Sequence, residues 1–286
     1  MPVLRRISFL CCILFLTTSL RSQTQPNTSE VTPKAAPSAS APTLGLAERK
    51  EILRKAKQSY YSLKTTGFAE FRFQAVPDWD SMYKDLHTDA VANDQLLPIL
   101  KKTHFMVVVG PDGASSVSHQ SDDAPPSEEV AERIRKTTNG VDQVLTGFLH
   151  TWTGFSMAPL FPDIDSDYQV EDTGTEYRVS YKEGETDLVT TIGRDYAIKN
   201  IQVTASTMNI AMQPAWKTVK SGFLLTGYDA TIKTDSGGLQ TLSVAIQYEE
   251  LEGLNLPNAI TAKVTMPDGG AIHIPLAFVD RTAKKN

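Results

Sequence analysis

The chain has 286 residues, and its 28 Lys and Arg against 33 Asp and Glu give a formal net charge of −5 at pH 7. An acidic chain without a basic cluster argues against nucleic acid and against anionic lipid surfaces as partners. The only cysteines are Cys11 and Cys12, so the rest of the chain has no disulfide, no thiolate metal site and no cysteine nucleophile.

The first 22 residues have the pattern of a secretory signal peptide. Arg5 and Arg6 precede an apolar run over residues 7–16, which is too short for the roughly 20 residues that span a bilayer. Cys11 and Cys12 lie inside that run, which argues against lipidation. Cleavage would remove three arginines and no acidic residue, leaving 25 basic and 33 acidic residues and a net charge of −8. We therefore expect an exported, periplasmic protein.

Residues 23–44 are rich in Pro, Ala, Ser and Thr and contain no aromatic residue. Such a composition cannot bury a core, so it predicts a flexible linker. Residues 45–280 then suit one β-rich domain, and residues 281–286 are expected to form a basic tail.

The domain begins with a helix and a strand. The stretch LAERKEILRKAKQSYYSLK is amphipathic, with these apolar residues on one face: Ile52, Leu53, Ala56, Tyr60 and Leu63. The following GFAEFRFQAV alternates, which predicts a strand with one buried face. That face carries Ala69, Phe71, Phe73 and Ala75.

The middle of the chain mixes helices with a hairpin. Residues 77–100 have short helical potential in two places, and THFMVVVGPDGASSVSHQ predicts a hairpin around GPDG. Ser127 suits the N-cap of a second helical region. Within that region we expect Asn139-Gly140 to divide the helix in two.

From Asp167 onward one hairpin follows another. The turn sequences DTGT, GRDY, DSGG and PDGG separate alternating segments. The pattern predicts about eleven strands and two or three helices, an α+β fold that is predominantly antiparallel β. The expected architecture is a strongly curved sheet, an incomplete β-barrel, covered by helices. Such a sheet encloses either a packed core or a ligand cavity.

The stretch YEELEGLNLPNAITAKV raises a specific question. Leu254 and Leu256 stand where a turn is expected, and turns usually carry Gly, Asn or Asp. They either fold back as a structural corner, which we favour, or form the rim of an apolar cavity.

The residues that usually carry chemistry have no recognisable arrangement. The histidines lack metal-ligand spacing; they are His87, His104, His119, His150 and His273. There is no G-x-S-x-G serine box, and the acidic run at 163–167 lacks the glycine and glutamate of a calcium loop. We therefore expect no enzyme activity, no metal and no cofactor. A glycosidase carboxylate pair stays open as a third hypothesis.

Two segments carry many large apolar residues, and we assign both outside the strands. HTWTGFSMAPLFPDI and STMNIAMQPAW contain Trp152, Phe155, Met157, Leu160, Phe161, Met208, Ile210, Met212 and Trp216. Ordinary packing explains each residue singly. Together they also suit an adaptable cavity lining.

Several stretches resemble the bacterial outer-membrane lipoprotein-carrier (LolA/LolB-like) family. They are the helix ILRKAKQSYYSLKT before GFAEFRFQ, the unit MVVVGPDGASSV, and the closing strand AIHIPLAFV. Relatives also carry a corner similar to the one formed here by Tyr248, Gly253, Leu254, Leu256, Pro257 and Ile260. The Arg-Pro segment of the carriers has no counterpart, so we assign no gating arginine.

The resemblance implies an incomplete barrel with a helical lid over a cavity for acyl chains, working in the periplasm without a cofactor. We expect a monomeric, non-catalytic carrier of a lipid or an acylated protein, with an envelope protein as a further candidate partner. The alternative is an envelope structural or interaction domain with a filled core. The expected cavity lining is Phe71, Phe73, Val179, Val244, Ile246, Val264 and Phe278 from the sheet, with Trp152 and Phe155 from the lid.

Overall fold

A computed structural model describes residues 44–85, 90–157, 161–235, 238–265, 267 and 269–286. The expected signal peptide, the expected linker up to residue 43, His87, Leu160 and Met266 lie outside the described residues.

Four α-helices and one 3₁₀ turn lie in the described part of the chain. The helices are α1 (Leu46–Gln58), α2 (Trp79–Asp85), α3 (Ala90–Leu100) and α4 (Glu128–Met157), and the 3₁₀ turn is Lys64–Thr66. None of these helices combines the length and the apolar character that crossing a membrane requires.

Twelve antiparallel strands of the described residues form one open, curved sheet with helices, as the alternation predicted. They are β1 (Phe68–Pro77), β2 (Thr103–Val109), β3 (Ser115–Ser121), β4 (Tyr168–Asp172), β5 (Glu176–Glu183), β6 (Thr186–Gly193), β7 (Ile198–Ala205), β8 (Met208–Val219), β9 (Gly222–Thr234), β10 (Leu239–Leu251), β11 (Leu254–Thr265) and β12 (Ala271–Lys285). The strand order is β3-β2-β1-β12-β11-β10-β9-β8-β7-β6-β5-β4, so β3 and β4 are the edges. Pairing of β1 with β12 brings the first and last strands together.

The strand that the sequence did not predict is β8. Its residues Met208, Ile210 and Met212 are buried and alternate with exposed residues. The assignment of this segment outside the strands was therefore wrong, because its methionines occupy ordinary inward positions of a strand. The expected basic tail also differs from the structure, since residues 281–285 continue β12 and reach its pairing with β1.

Helix α4 is continuous, and the expected break at Asn139-Gly140 is wrong. Its N-terminus is capped as predicted, because the Val130 N–H donates to Ser127 Oγ at 3.3 Å. Beyond the glycine the buried apolar face continues through Val141, Val144, Leu145, Phe148, Leu149 and Trp152. Packing of that face outweighs the roughly 1 kcal/mol that a helical glycine costs.

The segment that follows α1 contacts one end of the sheet, which we call the α1 end, while Arg49 near the start of α1 donates to the Tyr168 carbonyl at the beginning of β4. The Phe223 N–H donates to the Ser59 carbonyl at 2.8 Å, and the Tyr61 N–H donates to the Phe223 carbonyl at 3.0 Å. The Leu63 N–H donates to the Ser156 carbonyl at 2.9 Å, which places the last turn of α4 there as well. The opposite end of the sheet, where β5, β7, β9 and β11 finish, is called the far end.

The corner at Leu254 and Leu256 belongs to the α1 end. Glu252 and Gly253 have positive φ angles of 54° and 71°, and they form the two-residue loop between β10 and β11. The leucines are therefore strand residues at the start of β11, and both have 0% exposure. They pack as a structural corner and form no rim.

Candidate functional site

The nine expected lining residues all lie in one apolar core. Phe71 and Phe73 are on β1, Val179 on β5, Val244 and Ile246 on β10, Val264 on β11 and Phe278 on β12, with Trp152 and Phe155 on α4. The two aromatic residues expected in the helical lid lie on α4. We call the side of the sheet that carries this core its buried face.

Four of these residues form one aromatic cluster between sheet and helix. The ring centroids of Phe73 and Phe278 are 4.2 Å apart, and those of Phe71 and Phe73 are 4.8 Å apart. The Trp152 ring lies 6.2 Å from that of Phe71. Alternation on β1 and β12 directs the phenylalanines inward, and the apolar stripe of α4 covers them. These contacts hold the helix against the sheet.

Two expected residues lie away from that cluster. The Phe155 ring contacts Trp216 of β8, with centroids 5.4 Å apart. Val179 lies on β5, next to the edge strand β4 and distant from β1 in the strand order. The predicted lining is therefore distributed over most of the buried face rather than gathered at one point.

On several strands, but not on β1, β2 or β9, exposure on the buried face increases by a few per cent from the α1 end toward the far end. Along β11, Leu254 and Leu256 are 0% exposed, Ile260 is 1% exposed and Val264 is 6% exposed. The same increase occurs on four other strands: from Val179 to Tyr181, from Ile192 to Leu188, from Ile201 to Val203, and from Met212 to Met208. The core is therefore buried at both ends, and on β5 to β8 and β11 it is closed slightly less tightly at the far end.

Cross-strand pairing links far-end residues into apolar rows. On β6 to β9 the paired residues are Leu188, Val203, Ile210 and Ile232. On β10 to β12 they are Leu242, Val264 and Ile272. Facing residues on adjacent strands lie roughly 5 Å apart, so each row presents a continuous apolar surface.

Sequence reasoning missed most of these rows. Leu188, Val203 and Leu242 were not selected, and Ile210 was assigned outside a strand. The signal that identifies such residues is period-two alternation, as on β10, where inward residues from Leu242 to Ile246 are separated by exposed ones.

Several hydroxyl and indole groups lie in the core near α4. Burial raises the pKa of Tyr228 to about 12, and its hydroxyl forms a hydrogen bond with the Thr151 side chain. Burial also raises the pKa of Tyr248, and the Trp152 indole N–H, which faces its hydroxyl oxygen as a donor, opposes that rise. This contact is not a well-formed hydrogen bond, and within the described residues neither Trp152 Nε1 nor the Tyr248 hydroxyl has another partner.

Titratable groups nearer the surface form structural pairs. His119 Nδ1 lies 2.7 Å from Asp142 Oδ2 and links β3 to α4. His104 contacts Asp122, and burial lowers the pKa of His150. In the part of the chain that the structure describes, no three His, Cys, Asp or Glu residues are grouped so that they could hold a metal ion.

Comparisons of the chain with protein-family models, curated proteins and solved structures found no match. The resemblance to lipoprotein carriers therefore stays a prediction from the sequence.

Proposed function

We propose that the chain is a periplasmic, non-catalytic carrier or binding protein that holds the acyl chain of a lipid or an acylated protein between the buried face of its sheet and α4. The observation that supports this best is the slightly looser closure of the far end on β5 to β8 and β11. A site that admits an apolar chain needs one closed end and one end where side chains separate at low cost.

The buried face has the chemistry that such a ligand requires. Its far-end rows consist of Leu, Ile and Val side chains on neighbouring strands. Burial of each CH₂ group of a ligand contributes about 0.8 kcal/mol, so a long acyl chain gains roughly 10 kcal/mol before ordering costs are subtracted.

Binding requires the far-end residues to move apart, because even there the side chains are mostly buried. Helix α4 is the element that can respond, since side-chain contacts hold it over the sheet. Its last turn is joined to Leu63 by a backbone hydrogen bond at the α1 end. In this proposal, opening begins at the far end and leaves the α1 end in place.

The test is uptake of a fluorescent fatty-acid analogue by protein that has been delipidated under denaturing conditions and refolded. The proposal predicts saturable uptake with about one probe per chain. Uptake that is absent, or that rises linearly without saturation, would contradict it.

The second candidate is an envelope interaction domain with a filled core. The observation that favours it is the aromatic contact between sheet and helix, where Phe148 of α4 reaches Phe278 of β12 at 5.9 Å between ring centroids. In that case the mostly exposed edge strand β3 is the natural place for a partner strand to pair.

Mass spectrometry of gently purified protein under native conditions separates the two candidates. A carrier brings a lipid of defined mass through purification. A filled domain has the mass of the bare chain and takes up no probe after delipidation.

A further inference from the structure

The Tyr248 hydroxyl and the Trp152 indole N–H are neighbouring polar groups inside an apolar core. Tyr248 lies on β10 and Trp152 on α4, and both polar atoms are buried. The indole N–H already faces the phenol oxygen as a donor, although the contact is not a well-formed hydrogen bond and neither atom has another partner among the described residues. The phenol hydrogen lacks an acceptor in this arrangement, because a Trp nitrogen does not accept.

Nearby tyrosines differ from Tyr248 in this respect. Tyr228 on the adjacent strand β9 is equally buried, yet its hydroxyl is hydrogen-bonded to Thr151. The Tyr61 hydroxyl accepts a hydrogen bond from the Asn255 N–H at 3.0 Å. Buried polar groups in native proteins are nearly always paired, so the hydrogen of the Tyr248 hydroxyl is available to an acceptor outside the chain.

An apolar track on β10 leads to this pair of donors. Leu242, Val244 and Ile246 point to the buried face, and Tyr248 is the next residue in the same alternation. With a rise of about 3.4 Å per residue, the track from Leu242 to Tyr248 is roughly 20 Å long. Leu242 lies nearer the far end, and Tyr248 lies nearer the α1 end. A linear apolar chain that follows the track ends at the two donors.

The surroundings favour an uncharged oxygen as the partner. Apart from burial, the groups that act on the Tyr248 hydroxyl are Trp152 and Tyr61, and neither is basic. A carboxylate buried there would lack a counter-charge, which is costly. A carbonyl oxygen of an ester or of a neutral carboxylic acid accepts both hydrogen bonds without that cost.

We propose that Tyr248 and Trp152 donate hydrogen bonds to a neutral carbonyl oxygen at the inner end of a single bound acyl chain. This inference rests on the proposed carrier function and names the ligand chemistry: a small acyl ester or a protonated fatty acid, bound with its carbonyl group inward. An acyl chain attached to a polypeptide enters with its tail inward and leaves the donors unpaired.

The test is displacement of a bound neutral fluorescent dye by two competitors of similar length, methyl dodecanoate and tridecane. The wild-type chain should release the dye at a roughly threefold to tenfold lower concentration of the ester, which corresponds to one or two ordinary hydrogen bonds. Tyr248→Phe should bring the two concentrations close together. Tyr228→Phe is the matched control and should keep the wild-type ratio.

The outcomes separate this inference from the carrier function. Dye uptake with equal displacement by both competitors, or an unchanged ratio in Tyr248→Phe, overturns the inference and leaves the carrier intact. Absence of dye uptake overturns both. Trp152→Phe removes the second donor and should lower the ratio too, and a urea unfolding curve establishes that each variant is folded.

Discussion

The Tyr60 hydroxyl donates a hydrogen bond to the Tyr196 carbonyl at 2.8 Å and accepts one from the Ile198 N–H at 2.7 Å. The Tyr60 side chain, which follows α1 in the sequence, therefore forms hydrogen bonds with two backbone groups in and next to the loop between β6 and β7. Burial raises the pKa of this hydroxyl, so it stays protonated and able to donate. The α1 end of the sheet is closed by specific polar contacts as well as by apolar packing.

Tyr60→Phe should therefore lower the free energy of unfolding by about 1–3 kcal/mol, because it leaves a buried backbone N–H and a carbonyl without that partner. Urea unfolding measures the change. Tyr168→Phe is the control, since the Tyr168 hydroxyl is buried without a hydrogen bond among the described residues and its removal should cost little. If the two variants lost equal amounts of free energy of unfolding, the hydrogen bonds of the Tyr60 hydroxyl would not be what stabilises the α1 end.

The corner leucines give a second stability test. Leu256 has 0% exposure at the α1 end and Leu239 has 52% exposure at the start of β10. Leu256→Ala should cost about 2–5 kcal/mol, and Leu239→Ala less than about 0.5 kcal/mol. If Leu256→Ala changed stability no more than Leu239→Ala, Leu256 would be a rim residue rather than a part of the corner.

Two glycines should respond to alanine in opposite directions. Gly140 lies inside α4 with nothing within 4 Å of an added Cβ, so Gly140→Ala should stabilise by roughly 0.5–1 kcal/mol. At Gly222, φ is 122° and an added Cβ would lie 2.5 Å from the Ser59 carbonyl oxygen. Gly222→Ala should therefore destabilise. Thermal unfolding of both variants checks the signs, and destabilisation by Gly140→Ala would argue that α4 is interrupted there.

The contact between Asp142 and His119 predicts a pH dependence. Burial raises the pKa of Asp142, and His119 partly opposes that rise. A carboxyl with a higher pKa in the folded state than in the unfolded state stabilises the fold fully below its unfolded pKa of about 4, and this contribution is lost as pH rises through the folded pKa.

The stability of the wild-type chain relative to Asp142→Asn should consequently fall as pH rises above about 4. Urea unfolding of both proteins between about pH 3 and pH 7 measures the difference. A difference that grows with pH would mean that the contact with His119 outweighs burial.

The alternation of the strands made most of the fold predictable. On β1 the inward positions Phe71, Phe73 and Ala75 follow the predicted face, but Phe68 is also buried because the register shifts between Phe68 and Glu70. No local sequence pattern predicts such a shift in strand register. The helical region itself was predicted, but its continuity through Gly140 was missed for a related reason, since glycine propensity is local and the packing that overrides it is tertiary.

The candidate site was less predictable than the fold. Alternation marks Val244 and Ile246 as inward, but it does not say whether an inward residue meets another side chain or a ligand. The role inferred for Tyr248 depends on the hydrogen-bond partners available to its hydroxyl. One neighbour of that hydroxyl is Trp152, which comes from a distant part of the sequence. Such information appears only when sheet and helix are placed together.

The most direct test of the carrier claim is Val244→Trp, compared with Ala245→Trp on the exposed face of the same strand. If the buried face can open for a ligand, the indole of Val244→Trp should occupy the space that the ligand would fill. The free energy of unfolding of Val244→Trp should then stay within about 1 kcal/mol of the wild-type value. Val244→Trp should lose probe uptake, and Ala245→Trp should retain probe uptake. If Val244→Trp instead destabilises the chain by several kcal/mol while the wild type takes up no probe, the core is filled and the carrier account is wrong.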